Sequence, residues 1–189
     1  LIMKIYAHRG ASIDFPEMTM DAYKAAVDQG ADGMECDVRL TKDNQILLWH
    51  DADMKRTAGY SGRIAEMTYP QIKQQYPQAV LLEELLELAR DNDMELAIET
   101  KHPVPQGSMV EKKVLELLEQ EELETDVVLM SFSWLAIENI RRINPQQKTV
   151  ALLHERLNYV MQRFTSAPIL GPSVELLRSN PELAHAIKP

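Results

Sequence analysis

The sequence predicts an α/β fold. Three observations carry that reading. Short apolar runs of β type alternate with longer segments whose apolar residues recur at helical spacing, the pattern of βα units around a mostly parallel sheet. The reactive side chains gather where the short runs end. The composition, 45% hydrophobic and 26% charged, is that of a chain able to bury a core, and 189 residues make one domain spanning 1–189 the expectation.

Taken in order, residues 4–7 form the first expected strand and run into His8-Arg9-Gly10. Residues 19–29 follow as a helix, with Gly30 as its stop signal. The second strand, 33–39, carries Glu35 and Asp37, and the third, 46–50, ends in His50. Residues 51–78, with Gly59, Gly62, Pro70 and Pro77, have weak periodicity and exceed a usual βα connection, so a cap or insertion over a site is expected there. A helix at 82–90 leads to a strand at 95–99. In the next helix, 110–123, Val110, Val114, Leu117 and Leu118 make one stripe that would face a sheet. A strand at 127–131, a helix at 134–142 closed before Pro145 and a strand at 149–153 complete the regular part. Residues 165–189, with four prolines, read as irregular and without a final strand.

The charge balance excludes several roles. With 20 Lys and Arg against 29 Asp and Glu, the net charge of −9 opposes binding to nucleic acid or anionic lipid, and no basic run offsets it. The one cysteine, Cys36, cannot close an internal disulfide or supply a thiolate metal set, which accords with a reducing compartment. No apolar run reaches the roughly 20 residues of a membrane span, and the start has no signal-peptide core, so the expected location is cytoplasmic.

Four segments hold the chemistry: Ala7-His8-Arg9-Gly10, Glu35-Cys36-Asp37, His50-Asp51 and Glu99-Thr100-Lys101. Each falls at the C-terminal end of an expected strand, the edge where loops build ligand pockets. Strand alternation turns Glu35 and Asp37 to one face and Cys36 to the other. Two carboxylates on one face repel unless a cation lies between them. With Glu99 they make three hard oxygen donors, a set for Mg²⁺ or Ca²⁺ rather than zinc; alone, the same pattern describes a solvated strand edge.

His8 and His50 close two strands of one sheet, and two imidazoles beside a carboxylate cluster can act as general acid and general base, although either can be a satisfied structural residue. Arg9 and Lys101 would set two cations beside the metal to receive a substrate phosphate, unless they only pair with the neighbouring acids. His102, turned away from the face of Lys101 and followed by Pro103, reads as structural. His154 could line the pocket mouth, and His185, in the tail, carries no argument. Gly10 stands alone in its turn, so no nucleotide-phosphate loop is present, and no G-x-S-x-G elbow occurs.

In this order the segments resemble the glycerophosphodiester phosphodiesterase family. The likeness rests on Ala7-His8-Arg9-Gly10, Pro16-Glu17-Met18-Thr19, the run from Gly30 to Val38, Thr41-Lys42-Asp43, His50-Asp51 with Arg56-Thr57, Leu82-Glu83-Glu84-Leu85, Ile98-Glu99-Thr100-Lys101 and Ser131-Phe132, and extends from about Ile5 to Glu155. The resemblance implies a (βα)₈ barrel of the TIM type, with 51–78 as a small insertion after the second strand. It implies a divalent cation, Mg²⁺ or Ca²⁺, on Glu35, Asp37 and Glu99, His8 and His50 as the acid and base, and Arg9 and Lys101 on the phosphate. The implied reaction is hydrolysis of a glycerophosphodiester to an alcohol and glycerol 3-phosphate. The same site with an apolar groove would instead act on lysophospholipids or phosphoinositides, and a barrel without turnover would be a binding module for metal or phosphodiester.

Two departures stand out. The family usually has Asn where this chain has Met18. It also continues past Ala184-His185-Ala186 with two more strands that this chain does not contain, so the expectation is a C-terminally incomplete barrel whose unpaired edges would offer a surface for a homo-oligomer.

Overall fold

A computed structural model describes residues 3–121, 126–154 and 163–186. Its spine is a sheet built from β1 (Tyr6–His8), β2 (Gly33–Leu40), β3 (Ile46–Leu48), β4 (Glu95–Thr100), β5 (Val127–Ser131), β6 (Thr149–Leu153) and β7 (Ile169–Pro172). Six of these strands run parallel in the order β1-β2-β4-β5-β6-β7, and the sheet curls into part of a barrel. Among the described residues β1 and β7 pair on one side only.

Alternation along the strands decides which face meets the helices. Met34, Cys36 and Val38 of β2, Leu96 and Ile98 of β4 and Leu129 of β5 enter the main core. There they pack on α1 (Met20–Asp28), α4 (Leu82–Asp91), α5 (Met109–Glu121) and α6 (Trp134–Ile143), through residues such as Tyr23, Leu86, Val114 and Ile140. Each such side chain contributes about 1.5–3 kcal/mol by leaving water. The intervening residues Glu35, Asp37 and Glu99 are therefore committed to the concave face. Register completes the placement, because Asp37 pairs across to Glu99 and Glu99 to Met130.

The helices start and stop for local reasons. Thr19 caps α1 by accepting from the Ala22 N–H at 3.3 Å, and Gly30 takes φ +78° just beyond its end. In α5 the buried stripe is Val110, Val114 and Leu115, with Leu117 and Leu118 partly buried beside it. Leu123, the expected end of that helix, and Glu155, the expected limit of the family likeness, lie outside the described residues.

Three expectations need correction. The third strand ends at Leu48, not His50, and runs antiparallel to β2. Because β2 extends to Leu40, the chain must turn back on it, and His50 arrives at the pocket edge on a descending segment rather than at the end of a parallel strand. The stretch 51–78 is less irregular than its weak periodicity implies. It holds α2 (Lys55–Ala58), a 3₁₀ turn (Ile64–Glu66) and α3 (Tyr69–Gln75), gathered around a second small core of Leu47, Trp49, Met54, Ile64, Ile72 and Ala79. Its elements are too short for a helical period to show in the sequence.

The tail, read as irregular, contains β7, α7 (Val174–Ser179) and α8 (Pro181–Ala186). Its prolines mark boundaries: Pro172 ends β7, and Pro181 opens α8, where its missing N–H costs nothing. Ile137, Ala151, Leu153, Leu176 and Leu183 form the third core cluster beneath it. Among the described residues no helix is long and apolar enough to cross a membrane.

Candidate active site

The centre of the concave face is an acidic cluster. Glu35, Asp37 and Glu99 are all buried, and one oxygen from each lies within 4.8 Å of the others. Lys101 follows β4 directly and sets Nζ 2.7 Å from Glu99 Oε1 and 3.2 Å from Asp37 Oδ1. Arg9 approaches from the other side, with Nε 3.0 Å from Asp37 Oδ2. Neither contact on Asp37 has hydrogen-bond alignment, so both of its buried oxygens remain without a donor. The two cations offset the charge of Asp37 without giving either oxygen an aligned hydrogen bond.

Backbone geometry delivers the first side of the site. Arg9 takes φ +61° and Gly10 φ +78°, so the chain leaves β1 in a tight left-handed turn. This brings the Arg9 N–H to 3.1 Å from both the backbone O and the Oε2 of Glu35. Gly10 is required there, since a Cβ would stand 2.8 Å from the backbone of Ala22. Met18, where the family usually has Asn, sits at φ +54°, a region Asn tolerates better than Met. His8 places Nε2 3.8 Å from Glu35 Oε2.

The next contribution comes from the descending segment after β3, on the same flank of β2. The Trp49 N–H donates to Asp37 O at 2.9 Å, and Arg39 Nε donates to His50 O at 2.9 Å, which ties His50 to the strand that carries the acids. The His50 imidazole then meets Asp51, with Nδ1 to Oδ1 at 2.8 Å. His8, Arg9, Glu35, Asp37, His50, Glu99 and Lys101 thus converge on one edge of the sheet.

The model of the glycerophosphoryl diester phosphodiesterase family matches residues 8–188. The chain belongs to this family. Among its relatives, one named "Probable glycerophosphodiester phosphodiesterase 1" from Mycobacterium tuberculosis is 35% identical over 95% of this chain and 75% of its own length. The solved glycerophosphodiester phosphodiesterase of Thermotoga maritima shares 28% identity at a TM-score of 0.71, over 82% of this chain and 65% of that one. A phosphodiesterase of Oleispira antarctica, solved with its product sn-glycerol-3-phosphate, superposes at a TM-score of 0.86 with 21% identity, over 98% of this chain and 82% of that one. As a member of this phosphodiesterase family, the chain is an enzyme of that class.

Electrostatics set the acidic cluster apart from its surroundings. Burial, then the charges of Asp37 and Glu99, push the Glu35 carboxyl up to about 8. Glu99 is raised for the same reasons, with Lys101 opposing. His8 moves the other way, lowered first by partial desolvation of its ring and then by the Arg9 charge. Three buried carboxylates against two cations leave an excess of negative charge, which a proton or a bound cation must relieve.

Sequence reasoning assigned no role to Glu17, Asp51 and Arg56, although all three lie in the quoted motifs. Arg56 donates from Nε to Asp51 Oδ2 at 2.6 Å, and from its two terminal nitrogens to Glu17 Oε2 and Oε1 at 3.0 and 2.5 Å. Glu17 Oε2 also accepts from Arg9 at 3.3 Å. The weaker histidines are placed too: His102 Nε2 lies 2.6 Å from Oε1 of the buried Glu111, and His154 tilts against Phe132 with ring centroids 5.4 Å apart. The side chain of His185 lies outside the described residues.

Proposed function

We propose that the site hydrolyses glycerophosphodiesters to an alcohol and glycerol 3-phosphate, with a divalent cation, Mg²⁺ or Ca²⁺, held by Glu35, Asp37 and Glu99. One observation carries the reading: three buried carboxylates, Glu35, Asp37 and Glu99, each bring an oxygen within 4.8 Å of the others, with Arg9 and Lys101 beside them. An all-carboxylate donor set suits a hard cation. The product-bound phosphodiesterase from Oleispira antarctica supports glycerol 3-phosphate as the phosphate-bearing product.

When bound, the cation supplies charge neutralisation at a non-bridging phosphate oxygen. Arg9 and Lys101 flank the same position and hold the phosphate, the former through its planar fork and the latter as a point charge. His8 takes a proton from the attacking oxygen. The bond from phosphorus to the leaving alcohol oxygen breaks, and His50 gives that oxygen its proton. Asp51 accepts from His50 Nδ1 and so orients the ring with Nε2 free for the donor role. When water attacks, it contributes OH to phosphorus and H to the alcohol.

The test is release of glycerol 3-phosphate from glycerophosphocholine and glycerophosphoethanolamine, with Mg²⁺ or Ca²⁺ and with a chelator. Cation-dependent product that chelation abolishes supports the reading. Full turnover in chelator, or near-normal turnover by His50→Ala, overturns it.

A further inference from the structure

We propose that Arg56 is the positioning residue of this site, setting the orientation of both His50 and Arg9 from outside the pocket. The proposal rests on the hydrolytic reading above. It starts from the unusual placement of Arg56, which sits on α2 in the insertion, 39 residues from Glu17, with its side chain half exposed. Its guanidinium nevertheless spends three hydrogen bonds on two carboxylates, and each carboxylate passes the constraint to one residue of the pocket.

Through Asp51 the constraint reaches His50. Asp51 Oδ2 accepts from Arg56 at 2.6 Å, while Oδ1 lies 2.8 Å from His50 Nδ1. An ionised carboxylate can only accept, so His50 must keep a proton on Nδ1, which leaves Nε2, turned away from Asp51, to hold and release the proton for the leaving alcohol. Through Glu17 the constraint reaches Arg9: both Glu17 oxygens are held by the Arg56 fork, and Oε2 is shared with Arg9 at 3.3 Å. Both carboxyls lie below their ordinary range. For Glu17 the hydrogen bond from Arg56 is the leading cause; for Asp51, burial is the largest single influence and raises it, but the hydrogen bonds and charges of His50 and Arg56 together outweigh it. A lysine would supply the charge from a single point, without the planar fork that meets both Glu17 oxygens while Nε meets Asp51.

The experiment combines steady-state release of glycerol 3-phosphate from glycerophosphocholine with long-range ¹H–¹⁵N NMR of the histidine side chains. Asp51→Asn is expected to lower kcat, and Glu17→Gln to raise KM by loosening Arg9. Arg56→Ala is expected to do both, with kcat down about 10- to 100-fold, and Arg56→Lys to restore neither fully. In a His50→Ala background, removing Arg56 should change kcat by no more than about twofold, because the two residues act as one unit. A thermal midpoint for Arg56→Ala near that of the parent protein accompanies these effects, since exposed ion pairs add little to stability.

The NMR arm expects the Nδ1–H form of His50 in the parent protein and its loss or mixing in Arg56→Ala. Kinetics of Arg56→Ala within about twofold of the parent, or a kcat loss undiminished by His50→Ala, overturns the proposal. If the parent protein releases no product, the hydrolytic reading fails, while the NMR comparison still decides whether Arg56 orients His50.

Discussion

His8 and His50 come to the same flank of β2 by different routes, and the two supports are built differently. His8 ends an edge strand of three residues, and its side chain is 69% exposed. The backbone places it, through the left-handed turn at Arg9 and Gly10. The His50 side chain is 32% exposed, its carbonyl is held by Arg39 and its ring by Asp51, which Arg56 in turn holds. A strand end can position a Cα, but only a further acceptor fixes which ring nitrogen carries the proton. The His50 side has that acceptor and a core of its own to support it; the His8 side has a turn.

The largest expected effect removes what both sides share. Asp37→Asn should cut turnover by about 10³-fold or more and abolish Ca²⁺ binding in calorimetry; retained binding would mean that the cluster does not hold the cation. Next, His8→Ala and His50→Ala should each lose about 10²- to 10⁴-fold on glycerophosphocholine. A diester with a nitrophenyl leaving group, which needs no proton, sharpens the comparison: His50→Ala should recover on it and His8→Ala should not. Equal recovery by both would erase the distinction between the two histidines.

Stability separates the sides further. Trp49 packs edge-on against Tyr76, with ring centroids 5.5 Å apart, inside the insertion core, so Trp49→Ala should cost about 3–5 kcal/mol in denaturant unfolding. Acidity gives the next effect. Glu35 in the folded chain titrates at about 8 against an ordinary 4.5, so the native state holds this proton more tightly than the unfolded chain. That contribution is fully present below about 4.5 and disappears as the pH rises through about 8. The metal-free protein should therefore lose melting temperature across that window, by up to a few kcal/mol in stability, and saturating Ca²⁺ should flatten the slope. A slope unchanged by Ca²⁺ counts against Glu35 as a ligand. The smallest effect lies on the His8 side: Gly10→Ala, at φ +78° and 2.8 Å from Ala22, should cost about 1–3 kcal/mol.

Much of the site was legible because it depends on strand alternation. The spacing of Glu35 and Asp37 on β2 decides their common face whatever the rest of the chain does, because both lie within one strand. The antiparallel sense of β3 was not legible, since a three-residue strand carries no direction in its composition. β7 was hidden by Gly171 and Pro172, residues that argue against a strand until an edge position accommodates them. Glu17, Asp51 and Arg56 stood in recognisable motifs, yet nothing in their spacing says that one guanidinium meets two carboxylates from different segments.

By itself the sequence determined the α/β class, the face on which the acids lie and the edge where the chemistry collects, because local periodicity and the two-residue repeat of a strand act over a few neighbours. Only the tertiary structure decided that β2 folds back to bring His50 to the acids, that the sheet curls so that Glu35, Asp37 and Glu99 converge within 4.8 Å, and that Arg56 ties the insertion to the first turn. Those are contacts between residues tens of positions apart, and their geometry follows from how the sheet twists and packs rather than from any local preference.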